Sequence, residues 1–290
     1  LWLWLVAAQS VWAGSYVAMK FAGAELPVGA VVTLRYGVAA ALFLPLILRR
    51  GLPRYARRDW ALMAALGALN FAVAPTLQVA AVRYTQALDV SILVALEPLL
   101  TLVFAAIFLG EKLSGRTWAA GAMSLTGALV LSGVGVSGID STPERLLGNG
   151  LFLASTLLEI SVTIFGARLV KVYDPVVTMG LLKTSGFLAS SLAYAGVWGG
   201  LELAAVSAKA WWSIVFLGAG ASVFGYSVWY WLLQRAPVQK LALSLFLQPF
   251  VGTVAGVAIA GETVGPNTLA GAGLIMGGLA WSEVRRQRPV

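Results

Sequence analysis

Cysteine and histidine are both missing from this chain of 290 residues. The first absence removes disulfides, thiolate nucleophiles and Cys-based metal sites. The second removes the commonest transition-metal ligand and the side chain that titrates most readily near neutral pH. Charge is scarce as well. Only 11% of residues are Asp, Glu, Lys or Arg, against about 25% in an ordinary soluble domain, so the chain cannot clothe a water-facing surface. A protease or acyl transferase working inside the membrane commonly needs His or Cys as base or nucleophile. Only a paired-carboxylate hydrolase remains open on the enzymatic side, and no motif supports one, so the expectation is a protein that is not an enzyme.

What the chain has in quantity is apolar sequence: 59% hydrophobic residues and a mean hydropathy of +0.86. Repeated apolar runs of roughly 20 residues are the length that crosses a hydrocarbon core. Solid runs of this kind exclude a barrel, whose strands alternate over about ten residues. The fold class expected is an all-α polytopic membrane protein. Charges, Pro and Gly bound ten segments, at 1–22, 28–48, 60–82, 86–109, 116–135, 149–170, 175–198, 211–234, 239–260 and 266–283. The sequence begins at Leu1 without Met, and Leu1 onward reads as a first span and not as a signal peptide.

The net charge of +8 comes without a basic stripe or RNA-binding motif, so no nucleic acid is expected as a partner. Topology accounts for it instead. With the N-terminus cytoplasmic, fourteen Lys and Arg fall on the inner side, four on the outer side and two within spans. That excess inside sets the orientation and puts both termini on the cytoplasmic side, with lipid as the surroundings; the membrane expected is the plasma membrane of a bacterial cell, its inner membrane.

A shift of 151 aligns Asp59–Gly133 with the chain from Ala210 onward without a gap. Trp60 meets Trp211, Gly67 meets Gly218, Pro98 meets Pro249, Glu111 meets Glu262 and Gly127 meets Gly278. Upstream, a shift of 148 pairs Pro27 with Pro175 and Arg35 with Lys183. Identities are only twelve in 75 aligned positions, and it is their placement at Trp, Pro and Gly-Glu that identifies a repeat. The expected organisation is a first five-helix repeat at 1–135, a linker at 136–148, and a second repeat at 149–290 ending in a basic cytoplasmic tail. An odd number of spans per half inverts the second, and inverted repeats are a hallmark of secondary transporters with midplane substrate sites.

Several residues look too costly to sit in lipid without a task. A carboxylate or ammonium at a helix centre costs about 2.5–3.5 kcal/mol on insertion scales. Glu97 and Glu159 fall near the centres of spans 4 and 6, and Arg35 and Lys183 lie seven or eight residues into spans 2 and 7. The plainer reading is an ion pair from Glu97 to Arg35 or Lys183. The functional one is a polar cavity, with Glu97 or Glu159 carrying a proton if transport is proton-coupled. Pro98 and Pro249 are expected to kink spans 4 and 9 and to free the carbonyls of Val94 and Leu245, beside Glu97 and Gln248. Asn70 and Gln78 share a face of span 3, and Trp229 and Tyr226 occupy the matching region of span 8. Trp12 and Tyr16 are one turn apart in span 1. These aromatics suit a planar or apolar substrate, or a cation over their ring faces. No metal and no cofactor are expected, and the oligomeric state is left open.

The stretches WAGSY (Trp12–Tyr16), RYGVAAALF (Arg35–Phe43) and AVRYTQALDVSILVALEPLLTLVFAAIFLGEKLSGRTWAAGAMSLTGALVL (Ala81–Leu131) resemble the EamA-type branch of the drug/metabolite transporter superfamily. The second half repeats the pattern as QPF, AGETV and TLAGAGLIMGGL. The resemblance implies ten helices in two inverted five-helix repeats and secondary export of a small metabolite. Its Trp- and Tyr-rich centre is similar to the bacterial aromatic amino-acid exporter group, which also exports lipophilic cations. The chain departs from internal symmetry at two places: Gln248 replaces Glu97, and ISVTI (Ile160–Ile164) replaces WAGSY.

Overall fold

The computed structural model describes residues 2–81, 84–85, 87–131, 142–248, 250–251 and 266–283, and these are helical with short connections and no strand. The helices are α1 (Trp2–Gly23), α2 (Val28–Arg50), α3 (Arg57–Ala81), α4 (Ala87–Leu109), α5 (Gly115–Leu131), α6 (Pro143–Leu169), α7 (Pro175–Ala193), α8 (Ala208–Leu233), α9 (Val238–Ser244) and α10 (Pro266–Glu283). Five of them, α2, α3, α6, α7 and α8, are long and apolar enough to cross a membrane by length and composition. Shorter apolar stretches cover Leu93–Leu109 and Leu269–Ser282.

Local chemistry fixes the ends. Helix α6 starts earlier than the hydrophobic run, because Thr142 accepts the Arg145 N–H at 3.3 Å and Pro143 supplies the preset φ of a first turn. Asp174 caps α7, its Oδ1 accepting from Val176 N at 2.9 Å and Val177 N at 3.0 Å, while Oδ2 pairs with Arg50 at 2.5 Å. Helix α7 ends at Ala193, short of the expected 198, and a 3₁₀ turn over Ala195–Trp198 comes after it. Glu111 closes the end of α4 by reaching across the repeats: its two oxygens accept from Val238 N and Gln239 N, at 2.8 and 2.9 Å, and so cap α9. A helix N-terminus carries unpaired N–H groups and a partial positive charge, which is what a carboxylate stabilises.

The positions matched by the internal shift occupy matching places. Helix α3 carries a π segment at Leu69–Val73 and α8 one at Phe216–Gly225, and the shift of 151 lays the first inside the second. The α5–α10 crossing is reciprocal. A Cβ on Gly127 would meet Gly271 O at 2.7 Å and Ile275 N at 2.8 Å; one on Gly278 would meet Ala120 O at 2.8 Å and Ser124 Oγ. Residues 271 and 275 are 120 and 124 shifted by 151, so each glycine admits the same part of the other's helix. A Cβ on Gly67 would likewise lie 2.5 Å from Leu182 O, and one on Gly218 3.0 Å from Arg35 O. The GxxxG spacing at Gly273/Gly277 predicts a different contact pair. Gly273 faces open space, and Gly277 and Gly278 make the approach. The Gly252/Gly256 pair and Glu262 lie outside the described residues.

The expected kinks differ from one another. Helix α4 continues as α-helix through Pro98, with Thr101 Oγ1 donating to the Glu97 carbonyl at 2.9 Å. Helix α9 instead stops at Ser244 and tightens into a turn at Leu245–Phe246. The Leu245 carbonyl expected to be free accepts the Gln248 N–H at 3.0 Å, because the i→i+3 turn satisfies it locally. Large apolar side chains such as Leu48, Leu192, Trp212 and Ile107 point outward, and the buried core is centred on α2, α3, α6, α7 and α8. Trp4, Trp60, Trp118 and Trp281 are exposed, and Trp2 and Trp211 are partly buried.

Candidate functional site

The π segments deliver the central side chains. A π turn inserts one extra residue into the helical ladder and re-aims the side chains beyond it, and such bulges cluster at functional sites. In α3 the segment contains Asn70 and Phe71; in α8 it contains Ala221 and Ser222. Phe71 faces Lys183 of α7, with the ammonium nitrogen 3.4 Å from its ring centroid. Ser222, the residue equivalent to Phe71, faces Arg35 of α2, whose Nε donates to its hydroxyl at 2.9 Å. Arg35 also directs Nη1 at Met19 Sδ, 4.0 Å away, and lies 5.2 Å from the Tyr36 ring.

Lys183 is 0% exposed. Besides Phe71, its nitrogen lies 3.5 Å from the Tyr226 ring and 5.1 Å from that of Tyr36. An ammonium over a desolvated ring face gains about 2 kcal/mol, so two close rings offset much of the 2.5–3.5 kcal/mol or so that a lysine costs mid-helix. Rings satisfy its charge but supply no lone pair, and among the described residues the nitrogen has no hydrogen-bond partner.

Two carboxylates complete the centre. Glu159 of α6 lies beside Gln78 of α3 and within electrostatic reach of Arg35 and Lys183. Glu97 of α4 is close enough to Glu159 for their charges to interact. Both keep some accessible surface, as a carboxylate inside an apolar layer needs. The expected ion pair from Glu97 to Arg35 or Lys183 is not formed. Arg50–Asp174 at the helix ends is an ion pair, and no such pair joins Glu97 or Glu159 to Arg35 or Lys183. Two basic and two acidic side chains therefore lie near one another without closing into an ion pair.

Around them, Asn70 donates to Leu66 O at 3.0 Å and Ser161 Oγ at 3.3 Å, so Asn70 and Gln78 both face α6, as their helical spacing implies. The buried Asn70 Oδ1 has no partner among the described residues. Trp12 enters the π segment of α8, donating from its indole to Ala221 O at 3.1 Å. Gly225 makes the room, since a Cβ there would lie 2.7 Å from that nitrogen. The Trp12 ring meets Tyr226 and Trp229 edge-on at centroid distances of 5.3 and 5.5 Å. Trp229 is 2% exposed and donates to Thr163 Oγ1 at 3.3 Å. Gln248 donates to Gln9 Oε1 at 3.0 Å, and Gln9 donates on to Ser244 Oγ at 3.0 Å. Gln248 thus joins a polar cluster between α1 and α9, set apart from the carboxylates by its own contacts. Pro98 is buried in α4 beside Glu97. Pro249 lies outside the described residues, as does the side chain of Tyr16.

Sequence reasoning missed Phe71, Tyr36, Ser222 and Gln9. Phe71 and Tyr36 carry no signal in so apolar a chain. Ser222 had one, its equivalence to a residue facing the other half's cation, and Gln9 was the amide of the first span. Among the described residues, no group of three or more acidic side chains converges to hold a metal ion.

The chain belongs to the EamA-like transporter family, whose profile matches residues 2–133 and 146–283. It is thus a membrane protein of a transporter family. It is 27% identical over 284 residues to an uncharacterized transporter of Archaeoglobus fulgidus, covering 95% of this chain and 96% of that one. A probable terminal-alkyne amino-acid exporter of Streptantibioticus cattleyicolor is 26% identical, covering 95% and 90%. An aromatic amino acid exporter of Ancylobacter novellus is 27% identical over 194 residues, covering 66% and 65%. A solved crystal structure of a protein 22% identical superposes with a TM-score of 0.81, over 97% of this chain and 96% of its own, and shares the fold.

Proposed function

We propose that this protein is a secondary exporter of amino acids, aromatic and other neutral ones foremost. In this reading two inverted five-helix repeats, 1–135 and 149–290 joined by 136–148, span the membrane ten times and alternate access to a site between them. Both termini face the cytoplasm of a bacterial cell. The observation that carries the reading is the unpaired central quartet of Glu97, Glu159, Arg35 and Lys183, which lacks any ion pair within 4.0 Å. A zwitterion brings one charge of each sign, and it is the ligand class that such an arrangement completes without leaving an uncompensated charge. The reciprocal α5–α10 crossing and the paired π segments support the two-repeat organisation. The amino-acid exporters among the relatives support the substrate class. Glu159 or Glu97 takes the ammonium, and either carries the proton if export is coupled to one.

A second reading, export of a lipophilic cation, draws on the edge-on cluster of Trp12, Tyr226 and Trp229. Proteoliposomes preloaded with labelled tryptophan, phenylalanine or threonine separate the two. Saturable efflux above protein-free liposomes supports amino-acid export, and acceleration by a pH gradient supports proton coupling. Efflux equal to the blank from folded protein would overturn the amino-acid reading and leave the cation.

A further inference from the structure

The ring faces that a substrate cation would use are already covered. Lys183 fills the space between Phe71 and Tyr226 at 3.4 and 3.5 Å, with Tyr36 behind it at 5.1 Å. A guest cation would meet both the bulk and the charge of the lysine. The same lysine keeps its hydrogen-bonding capacity in hand. An ammonium carries three N–H donors, and none has an acceptor among the described residues. Glu159 is near enough to feel Lys183 but stays beyond ion-pair distance. Arg35, its counterpart in the other repeat, spends Nε on Ser222 and a second nitrogen on Met19. A purely packing role would suit methionine, which fills the same volume without the desolvation cost of a charge.

We propose that Lys183 is the residue that binds the substrate's carboxylate, and that the Phe71–Tyr226–Tyr36 cage around it makes the site select for carboxylates and against organic cations that lack one. This rests on the amino-acid export reading and deepens it. The rings hold the ammonium in the membrane interior while no substrate is bound, without consuming a donor. An arriving carboxylate then meets an N–H donor that no protein acceptor has taken. A compound that carries only an ammonium meets a cation already seated on the aromatic faces, and like charges in a site of low dielectric repel strongly.

The test is exchange of labelled phenylalanine in proteoliposomes, competed by phenylpropionate, which keeps the carboxylate, or by phenethylammonium, which keeps only the cation. The wild type should be inhibited by phenylpropionate and resist phenethylammonium. In Lys183→Met the potency of phenylpropionate should fall about tenfold or more, the loss expected for one charge-assisted contact. Lys183→Arg should retain it. If Lys183→Met gives no monodisperse protein, Lys183→Gln carries the same comparison. Unchanged phenylpropionate potency in the uncharged variant, or wild-type inhibition by phenethylammonium equal to that by phenylpropionate, would overturn the inference while export stood. Absence of any protein-dependent phenylalanine exchange by the wild type would overturn the export reading first, and this one with it.

Discussion

Arg35 with Ser222, and Lys183 with Phe71, are one contact made twice. In each, a cation on the second helix of a repeat faces the π segment of the third helix of the other repeat. The backbones agree and the side chains do not: a hydroxyl receives the guanidinium, and a ring receives the ammonium. The periphery repeats the lesson. Ahead of α8, Ser207 N donates to Glu25 at 2.7 Å; at the equivalent place ahead of α3, Ala56 N donates to the Tyr173 hydroxyl at 3.4 Å. Tyr173 in turn donates to Asp59 at 2.7 Å, a bond that holds its hydroxyl protonated and raises its pKa. Positions related by the 151-residue shift keep similar close helix approaches, while the side chains placed on them differ. A substrate with two different ends requires that asymmetry.

The largest expected effect tests the shared part. Gly127→Val or Gly278→Val puts carbon within 2.8 Å of backbone atoms of the facing helix. Overpacking of that kind costs about 1–3 kcal/mol or more, and the thermal midpoint in detergent should fall sharply for either. Gly273→Ala, which faces open space, should be silent. Equal tolerance of all three would break the reciprocal crossing.

Next comes the divergent part. Glu159→Gln should slow phenylalanine efflux about tenfold, the scale of one lost charge-assisted contact, because Glu159 lies within reach of both cations and Gln78. Glu97→Gln, whose described charge neighbour is Glu159, should cost less. Initial rates measured across pH decide the order, and unchanged rate and pH dependence in Glu97→Gln would remove that residue from the mechanism. Ser222→Ala should have a smaller effect, a roughly threefold rise in KM, since Arg35 loses one neutral acceptor worth about 1 kcal/mol. An effect larger than that of Lys183→Met would reverse the assignment of roles between the two halves.

The smallest effect is at the rim. The Glu25 carboxylate accepts from Ser207 Oγ at 2.6 Å and Ser207 N at 2.7 Å, and these bonds hold its pKa below the ordinary 4.5. A depressed folded-state value contributes stability that is present above the unfolded pKa and lost as pH falls through the folded one. Glu25→Gln should therefore lower the thermal midpoint slightly at neutral pH, and the difference from wild type should close below pH 4.5. Efflux should not change. A difference that persists in acid would show that the Ser207 contact works without its charge.

Much of the architecture was legible in residue order. Apolar run length with bounding Pro, Gly and charge marked the described helices, because a helix that leaves water must satisfy its own backbone over a set length. Helix α6 nonetheless starts at Pro143 and α7 ends at Ala193, away from the expected 149 and 198, and 252–260 of span 9 lie outside the described residues. The 151-residue shift has a related physical side: Gly127 and Gly278, and Gly67 and Gly218, are related by it and sit where a Cβ would crowd a facing helix. The intramembrane charges Glu97, Glu159, Arg35 and Lys183 announced themselves by cost alone. Their pairing did not. Spacing along a helix gives a face and says nothing about which of several faces across the bundle it meets, so the sequence left open both a polar cavity and an ion pair. Only the tertiary structure held the four charges apart, turned Phe71 and Tyr226 onto Lys183, and gave Arg35 a serine, because π segments re-aim side chains through backbone hydrogen bonds that no residue type encodes by itself.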